Sequence, residues 1–287
     1  MQQDKIIFVT GATGKQGSAA VESLINNGFT VKALTRNPGS AAAQKLKNLG
    51  AQIVTGNLDD TNSFRDQLKD VHGIFCVLTF ENGVDREIKQ GIALADLAKE
   101  YGIKHFLYSA VIGSDLNTGI PHWESKFIIE NHIKQIGLPY TIIRPCSLLE
   151  NFLFPQVKNR ILKGKFPSPV NKHVLQQFMA SKDVGAISAC IFLNPEKYMG
   201  NTINLAAEEM NMEQMALIFS EVTGKIVKFQ KLPMFITRLV MGKNLYKMFK
   251  WINENNAVFV KDLHSFRNEF PNLTTTREWI KNNFKPG

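Results

Sequence analysis

Short apolar runs and amphipathic stretches alternate along the first half of the chain. Residues 5–9, 30–35, 51–55, 73–78, 105–109 and 140–144 are dense in Ile, Val, Leu and Phe. Such runs predict short strands covered on both faces. Between them, apolar positions recur at helical spacing over 18–27, 41–49, 63–68, 85–101 and 123–136, and Gly28, Gly50, Gly102 and Gly137 follow four of these as stops. Only helical crossovers join parallel neighbours, so six strands alternating with helices predict an α/β fold with a doubly wound parallel sheet.

After Pro145 the rhythm changes. The pattern predicts a helix over 151–163, a proline-containing loop over 166–170, a helix over 182–193 with Ser181 as N-cap, and a strand over 202–205. A helix over 212–222 follows, capped by Asn211 and stopped by Gly224, then a strand over 226–230 and a helical, irregular remainder. The expected organisation is a sheet domain over 1–150 and a smaller C-terminal α+β lobe over 151–287, from which segments can return to the sheet.

The 287 residues, 44% apolar and 21% charged, have the composition of a globular protein. The first residues lack the order of a signal peptide and no apolar run reaches the length of a spanning helix, so a cytoplasmic protein without a transmembrane segment is expected. Cys76, Cys146 and Cys190 are odd in number and widely spaced, which fits a reducing compartment. No His-Glu-x-x-His or paired-cysteine spacing calls for a metal. Charge is uneven: residues 1–150 hold 15 basic and 15 acidic side chains, 151–287 hold 19 and 10, and the whole excess of +9 falls in the second part. That field attracts anions without specifying one, and no specific nucleic-acid binding is expected.

The first strand runs into Thr10-Gly11-Ala12-Thr13-Gly14-Lys15-Gln16-Gly17 and then a helix. Three glycines at this spacing, between strand and helix, let backbone N–H groups of Gly11, Thr13, Gly14, Lys15, Gln16 and Gly17 approach a pyrophosphate, which the helix N-terminus favours. The second strand ends in Arg36 where an acidic residue would select NAD, and a guanidinium there suits the 2′-phosphate of NADP(H), preferred over NAD(H). By position after strands three and four, Asn57, Leu58, Asp59 and Asp60 would flank the adenine, and Val77, Leu78, Thr79 and Phe80 the ribose side.

Thr-Gly-Ala-Thr-Gly-Lys-Gln-Gly at 10–17, Thr-Arg-Asn-Pro at 35–38, Gly-Asn-Leu-Asp-Asp at 56–60 and Arg-Pro-Cys-Ser-Leu-Leu-Glu-Asn-Phe at 144–152 together resemble the NmrA-like family of atypical short-chain dehydrogenases/reductases. Glu87 to Gly91, Tyr108-Ser109, His122 to Lys126 and Ser181 to Gly185 fall in family order, and Thr275 to Ile280 looks like the family's C-terminal helix. The resemblance implies a Rossmann-type NADP-binding domain and a smaller lobe closing over the nicotinamide. Some members reduce quinones or other small molecules, and others bind NADP(H) or NAD(P) as redox sensors controlling protein partners.

Catalytic relatives use Tyr-x-x-x-Lys, and the matching stretch here is His122-Trp123-Glu124-Ser125-Lys126. The resemblance makes Lys126 a ligand of the nicotinamide ribose, gives His122 the place of the acid, sets Ser109 at the substrate oxygen and puts Pro145 beside the cofactor. Tyr108 faces away from Ser109 and reads as packing. Hydride transfer to a quinone needs little acid catalysis, so the missing tyrosine weakens an alcohol-dehydrogenase reading more than a quinone-reductase one. Residues 225–252 interleave seven Lys and Arg with Met, Phe, Leu and Trp. Such a stretch lies on a membrane or grips a partner helix, but the plainer reading is an apolar lid over the substrate with solvated lysines. The leading reading is therefore an NADPH-dependent reductase of quinone-like compounds. The alternatives are a redox sensor or a transcriptional co-regulator acting through protein partners, with a homodimer left open.

Overall fold

In a computed structural model of the protein, which describes residues 5–284, the strand-then-helix order of the first half is present. It runs β1 (Ile6–Val9), α1 (Lys15–Asn26), β2 (Thr30–Thr35), α2 (Ala41–Asn48), β3 (Gln52–Thr55), β4 (Val71–Val77), α3 (Val84–Glu100), β5 (His105–Ser109), α4 (Pro121–Gln135) and β6 (Tyr140–Pro145). The stretch 63–68, expected as one helix, is instead the 3-10 turns Thr61–Ser63 and Arg65–Leu68. Asp60 caps the first of them by accepting from Asn62 N at 3.1 Å, and Phe64 between them stacks on Phe8 at 5.5 Å.

The remaining elements are β7 (Ser147–Leu148), α5 (Pro155–Leu162), β8 (Lys165–Ser168), β9 (Gln176–Met179), α6 (Ser181–Leu193), α7 (Pro195–Tyr198), β10 (Thr202–Leu205), β11 (Glu208–Met210), α8 (Met212–Thr223), β12 (Lys228–Lys231), α9 (Met234–Asn255), α10 (Leu263–Glu269) and α11 (Thr276–Asn283). The helix expected over 151–163 is broken: Leu149–Leu153 is a 3-10 turn and Pro155 restarts the chain as α5, because proline suits a first helical turn but not an interior. The expected 166–170 loop is largely strand. Phe166 to Ser168 pair in parallel with Phe229 to Lys231, which also moves the expected 226–230 strand to β12. Pro167 is tolerated since both strands of a two-stranded ribbon are edges. Asn211 and Gln214 form a full capping box on α8, and Gly224 ends it at φ +68°.

The chain divides into two compact units. Of the described residues, the first comprises 5–117, 121–144 and 181–203. Its sheet has the order β10-β6-β5-β4-β1-β2-β3, with β3, β2, β1, β4, β5 and β6 parallel in successive pairs. Phe8, Ile74, Leu94, Phe106, Ile129 and Ile142 are fully buried in its core. Helix α6 belongs here although it follows β6 by a long excursion: Gly185 lies so close to α1 that a Cβ would sit 2.4 Å from Ala19 O. The second unit comprises residues 118–120, 145–180 and 204–284. It holds the sheet β11-β9-β7, the ribbon β12-β8 and a core of Phe166, Phe178, Met215, Phe219, Trp279 and Phe284.

One buried base sets a pH dependence. His105 on β5 donates Nε2–H to Thr141 Oγ1 at 2.8 Å, because the Thr141 hydroxyl is already given to Tyr198 O. Its Nδ1 is buried without a partner among the described residues. Burial, with smaller contributions from His72 and Lys5, lowers its pKa from 6.5 to about 4. The unfolded imidazole binds its proton first, so this group's contribution is intact above pH 6.5 and is lost as pH falls toward 4. Comparing urea unfolding of wild type and His105→Gln, the wild type should lose about 2 kcal/mol relative to the variant between pH 7 and 4.5. A difference that does not move with pH contradicts this.

Candidate functional site

Apart from Pro145, the residues selected for this site lie in the first unit. Strand β1 lies between β2 and β4, so the winding of the sheet reverses beside it, and the carboxyl ends of β1 and β4 border the crevice such a reversal leaves. Thr10 at the end of β1 locks the two ends together: its Oγ1 accepts Val77 N–H at 3.0 Å and donates to Val77 O at 3.1 Å. The chain then turns at Gly11, φ +55°, where a Cβ would lie 2.9 Å from Val77 O. Gly14 N–H closes the turn on Gly11 O at 2.9 Å, and Ser18 N–H on Gly14 O begins α1. Gly17 is held by contact as well: a Cβ there would lie 2.1 Å from Gly11 O and 2.8 Å from Ala12 Cα.

The first turn of α1 therefore sits directly on the loop. Gly14 is its N-cap and supplies no side-chain acceptor, and no acidic residue lies in that turn. The partial positive charge of the helix N-terminus is thus not matched by a carboxylate of the turn itself. Gly11, Thr13, Gly14 and Lys15 are exposed, Gln16 half-buried and Gly17 buried. A backbone cradle that no Cβ could share, at an N-terminus without a local acid, fits the phosphates of a nucleotide.

The neighbouring strand ends hold the other selected residues. Arg36 is exposed just after β2, and Thr79 is exposed and Leu78 half-buried after β4. Asp59 is engaged: Arg86 Nε donates to it at 2.8 Å and Gln90 Nε2 at 2.7 Å, and these bonds hold its carboxyl well below the usual range. Asn57 Oδ1 accepts Asp59 N–H at 3.2 Å, so the segment after β3 is shaped by its own side chains. Ser109 ends β5 and donates to Gln16 Oε1 at 2.7 Å, joining two selected residues. Pro145, the last residue of β6, is buried and lies in the other unit.

Lys126 and His122 are both buried on α4. Lys126 Nζ pairs with Glu87 Oε1 at 2.7 Å, and Ser125 Oγ donates to Glu87 Oε2 at 2.6 Å. The His122 ring stacks on Phe80 with centroids 4.5 Å apart. Tyr108 is wholly buried, and burial, reinforced by Glu87, raises its pKa well above 10, so it remains a phenol at neutral pH. Also on α4, Glu130 is held by Arg144 through two bonds of 3.0 and 2.6 Å, and Ser114 adds a third at 2.8 Å.

Sequence reasoning gave Glu87 no role. Its signal was nevertheless present: the buried stripe Gly91, Leu94, Ala95 and Ala98 of α3, extended one turn back, reaches Glu87. A carboxylate on a buried helix face requires a partner. Arg86 carries no such signal, and neither does the stacking of Phe80 on His122, because these partners are set by tertiary structure.

The NmrA-like family pattern matches residues 3–280. The chain belongs to the NmrA-like family. It is 29% identical to an NmrA-like family domain-containing protein of Dictyostelium discoideum, over 96% of this chain and 97% of that one. Its fold is that of the negative transcriptional regulator NmrA, solved with NADP, at a TM-score of 0.81 and 22% identity over 99% of this chain and 96% of that one. It also matches an NADPH-dependent quinone oxidoreductase of Escherichia coli at a TM-score of 0.79 and 21% identity, over 97% of this chain and 100% of that one.

In this NmrA-like chain the Glu87–Lys126 pair is a buried ion pair, with side chains 0 and 8% exposed. Glu87→Ala leaves the ammonium without its partner and should cost about 3–5 kcal/mol in denaturant unfolding, most of which Lys126→Met in the same chain should restore. A loss below about 1 kcal/mol contradicts the pairing.

Proposed function

We propose that the protein binds NADP(H) and reduces quinone-like small molecules. The observation that carries this reading is the glycine cradle beside β4, with the exposed guanidinium of Arg36 at the end of the next strand. The bound cofactor would supply the hydride. The chain's own residues would bind and orient it: the loop 11–17 its phosphates, Arg36 the 2′-phosphate, Asn57 and Leu58 the adenine side, Leu78 and Thr79 the ribose and nicotinamide side, and Lys126 the nicotinamide ribose. Glu87 fixes the Lys126 ammonium at 2.7 Å. Ser109, tied to Gln16, positions the first turn of α1.

His122 stands where reductases that protonate an alkoxide need a tyrosine, and it is buried against Phe80. Quinones suit such a site, since the hydroquinone oxygens take their protons from water. The same observation favours a second reading, a cofactor-dependent regulator that binds NADP(H) and acts through a protein partner, in line with the transcriptional role of NmrA.

NADPH oxidation over a panel of quinones, with calorimetry on the same preparation, separates the two. Turnover supports the reductase. Tight binding without turnover supports the regulator, and absence of nucleotide binding contradicts both. Arg36→Asp should weaken NADPH binding at least about ten-fold, the effect of one charged hydrogen bond, and leave NADH binding little changed. Equal loss for both cofactors removes Arg36 from the 2′-phosphate.

A further inference from the structure

Helix α9 begins with its apolar side turned outward. Over residues 234–241 Phe235 is 73% exposed, Leu239 85% and Val240 75%, while Thr237 is 2% exposed and gives its hydroxyl to Pro233 O. A surface helix held by packing buries its apolar stripe and exposes its polar one, so this arm is reversed. It is also set apart, because Gly242 at φ +79° and ψ 171° interrupts the helix before its second half, where Ile252 enters the core of the second unit.

The charge around the arm has one sign. Residues 225–250 hold six lysines and one arginine and not one Asp or Glu. Lys225, Lys228, Arg238 and Lys243 are exposed. Lys163 and Lys165 join Lys228 around an open cleft of about 440 Å³, whose rim includes Ile226, itself 76% exposed.

We infer that residues 234–241 of α9 dock the protein on an anionic phospholipid surface, Phe235, Leu239 and Val240 entering the acyl boundary and the flanking lysines meeting the head groups. Two features select lipid over an acidic protein. Protein interfaces are depleted in lysine at their centres, whereas this stretch is lysine-rich, and the most exposed of its apolar anchors, Leu239 and Val240, are aliphatic. Stable peripheral attachment requires apolar insertion and a basic patch together, and both occur here within one segment. No helix among the described residues is long and apolar enough to cross a membrane, so the attachment is to the surface.

The test is co-sedimentation of the full chain with phosphatidylcholine vesicles, with and without phosphatidylglycerol, at low salt and at about 1 M salt, where the Debye length is about 3 Å. The wild type should pellet with the anionic vesicles and be released by salt. Lys225→Glu with Lys243→Glu should weaken binding roughly five-fold per charge. Phe235→Ser, Leu239→Ser and Val240→Ser together should weaken it at least about ten-fold. These positions are exposed, so circular dichroism and the thermal midpoint of the variants should match the wild type. Absence of vesicle binding, equal binding to neutral vesicles, or undiminished binding by the serine variant overturns the proposal. So does a wild-type dimer that the serine variant dissociates, since a second copy would then cover the face.

Discussion

The contact between Gly17 and Gly11 is the constraint from which the site is built. Gly17 lies in the first turn of α1, and the absence of a Cβ lets that turn rest on the backbone of the preceding loop. Any larger residue would lift the helix off the loop and move its N–H groups away from the crevice beside β1. The Thr10–Val77 bonds act in the same direction by fixing the strand ends that the loop leaves and passes. Sheet winding and this single close approach thus place a helix N-terminus where an anion can reach it.

Around that cradle the unit places charges in its interior and pairs them. Glu87 with Lys126, and Glu130 with Arg144, are buried and joined by short charge-assisted bonds. Pairs of this kind add little net stability over apolar replacements but define one geometry, since either partner alone is costly to bury. The Glu87 pair ties α3 to α4, the helix that carries His122 and Lys126. The orientation of Lys126 is therefore set by its bond to Glu87.

The parallel sheet and its order of elements were legible because strands buried on both faces are written as unbroken apolar runs, and glycines mark the helix ends. The glycine loop 11–17 was legible for a related reason: its glycines answer a local steric demand. What lay outside local pattern was harder to read. Elements at 61–68, 149–162 and 165–168 differ from expectation where a proline restarts a helix or where a distant strand pairs. The strands β9 and β11 gave no signal, their 3–4 residues depending on distant segments for pairing, β11 on β9 and β9 on both β11 and β7. Glu87 could have been found from the stripe of α3, whereas the clasp of Arg86 and Gln90 on Asp59 joins residues about 30 positions apart and follows only from the fold.

The most direct measurement is the affinity of Gly17→Ala for NADP⁺, by calorimetry, beside the wild type. If the close approach of α1 builds the cradle, the alanine variant should keep its secondary structure by circular dichroism and lose at least about a hundred-fold in affinity, roughly 3 kcal/mol. A folded variant that binds NADP⁺ as tightly as the wild type would contradict the central place given to this contact.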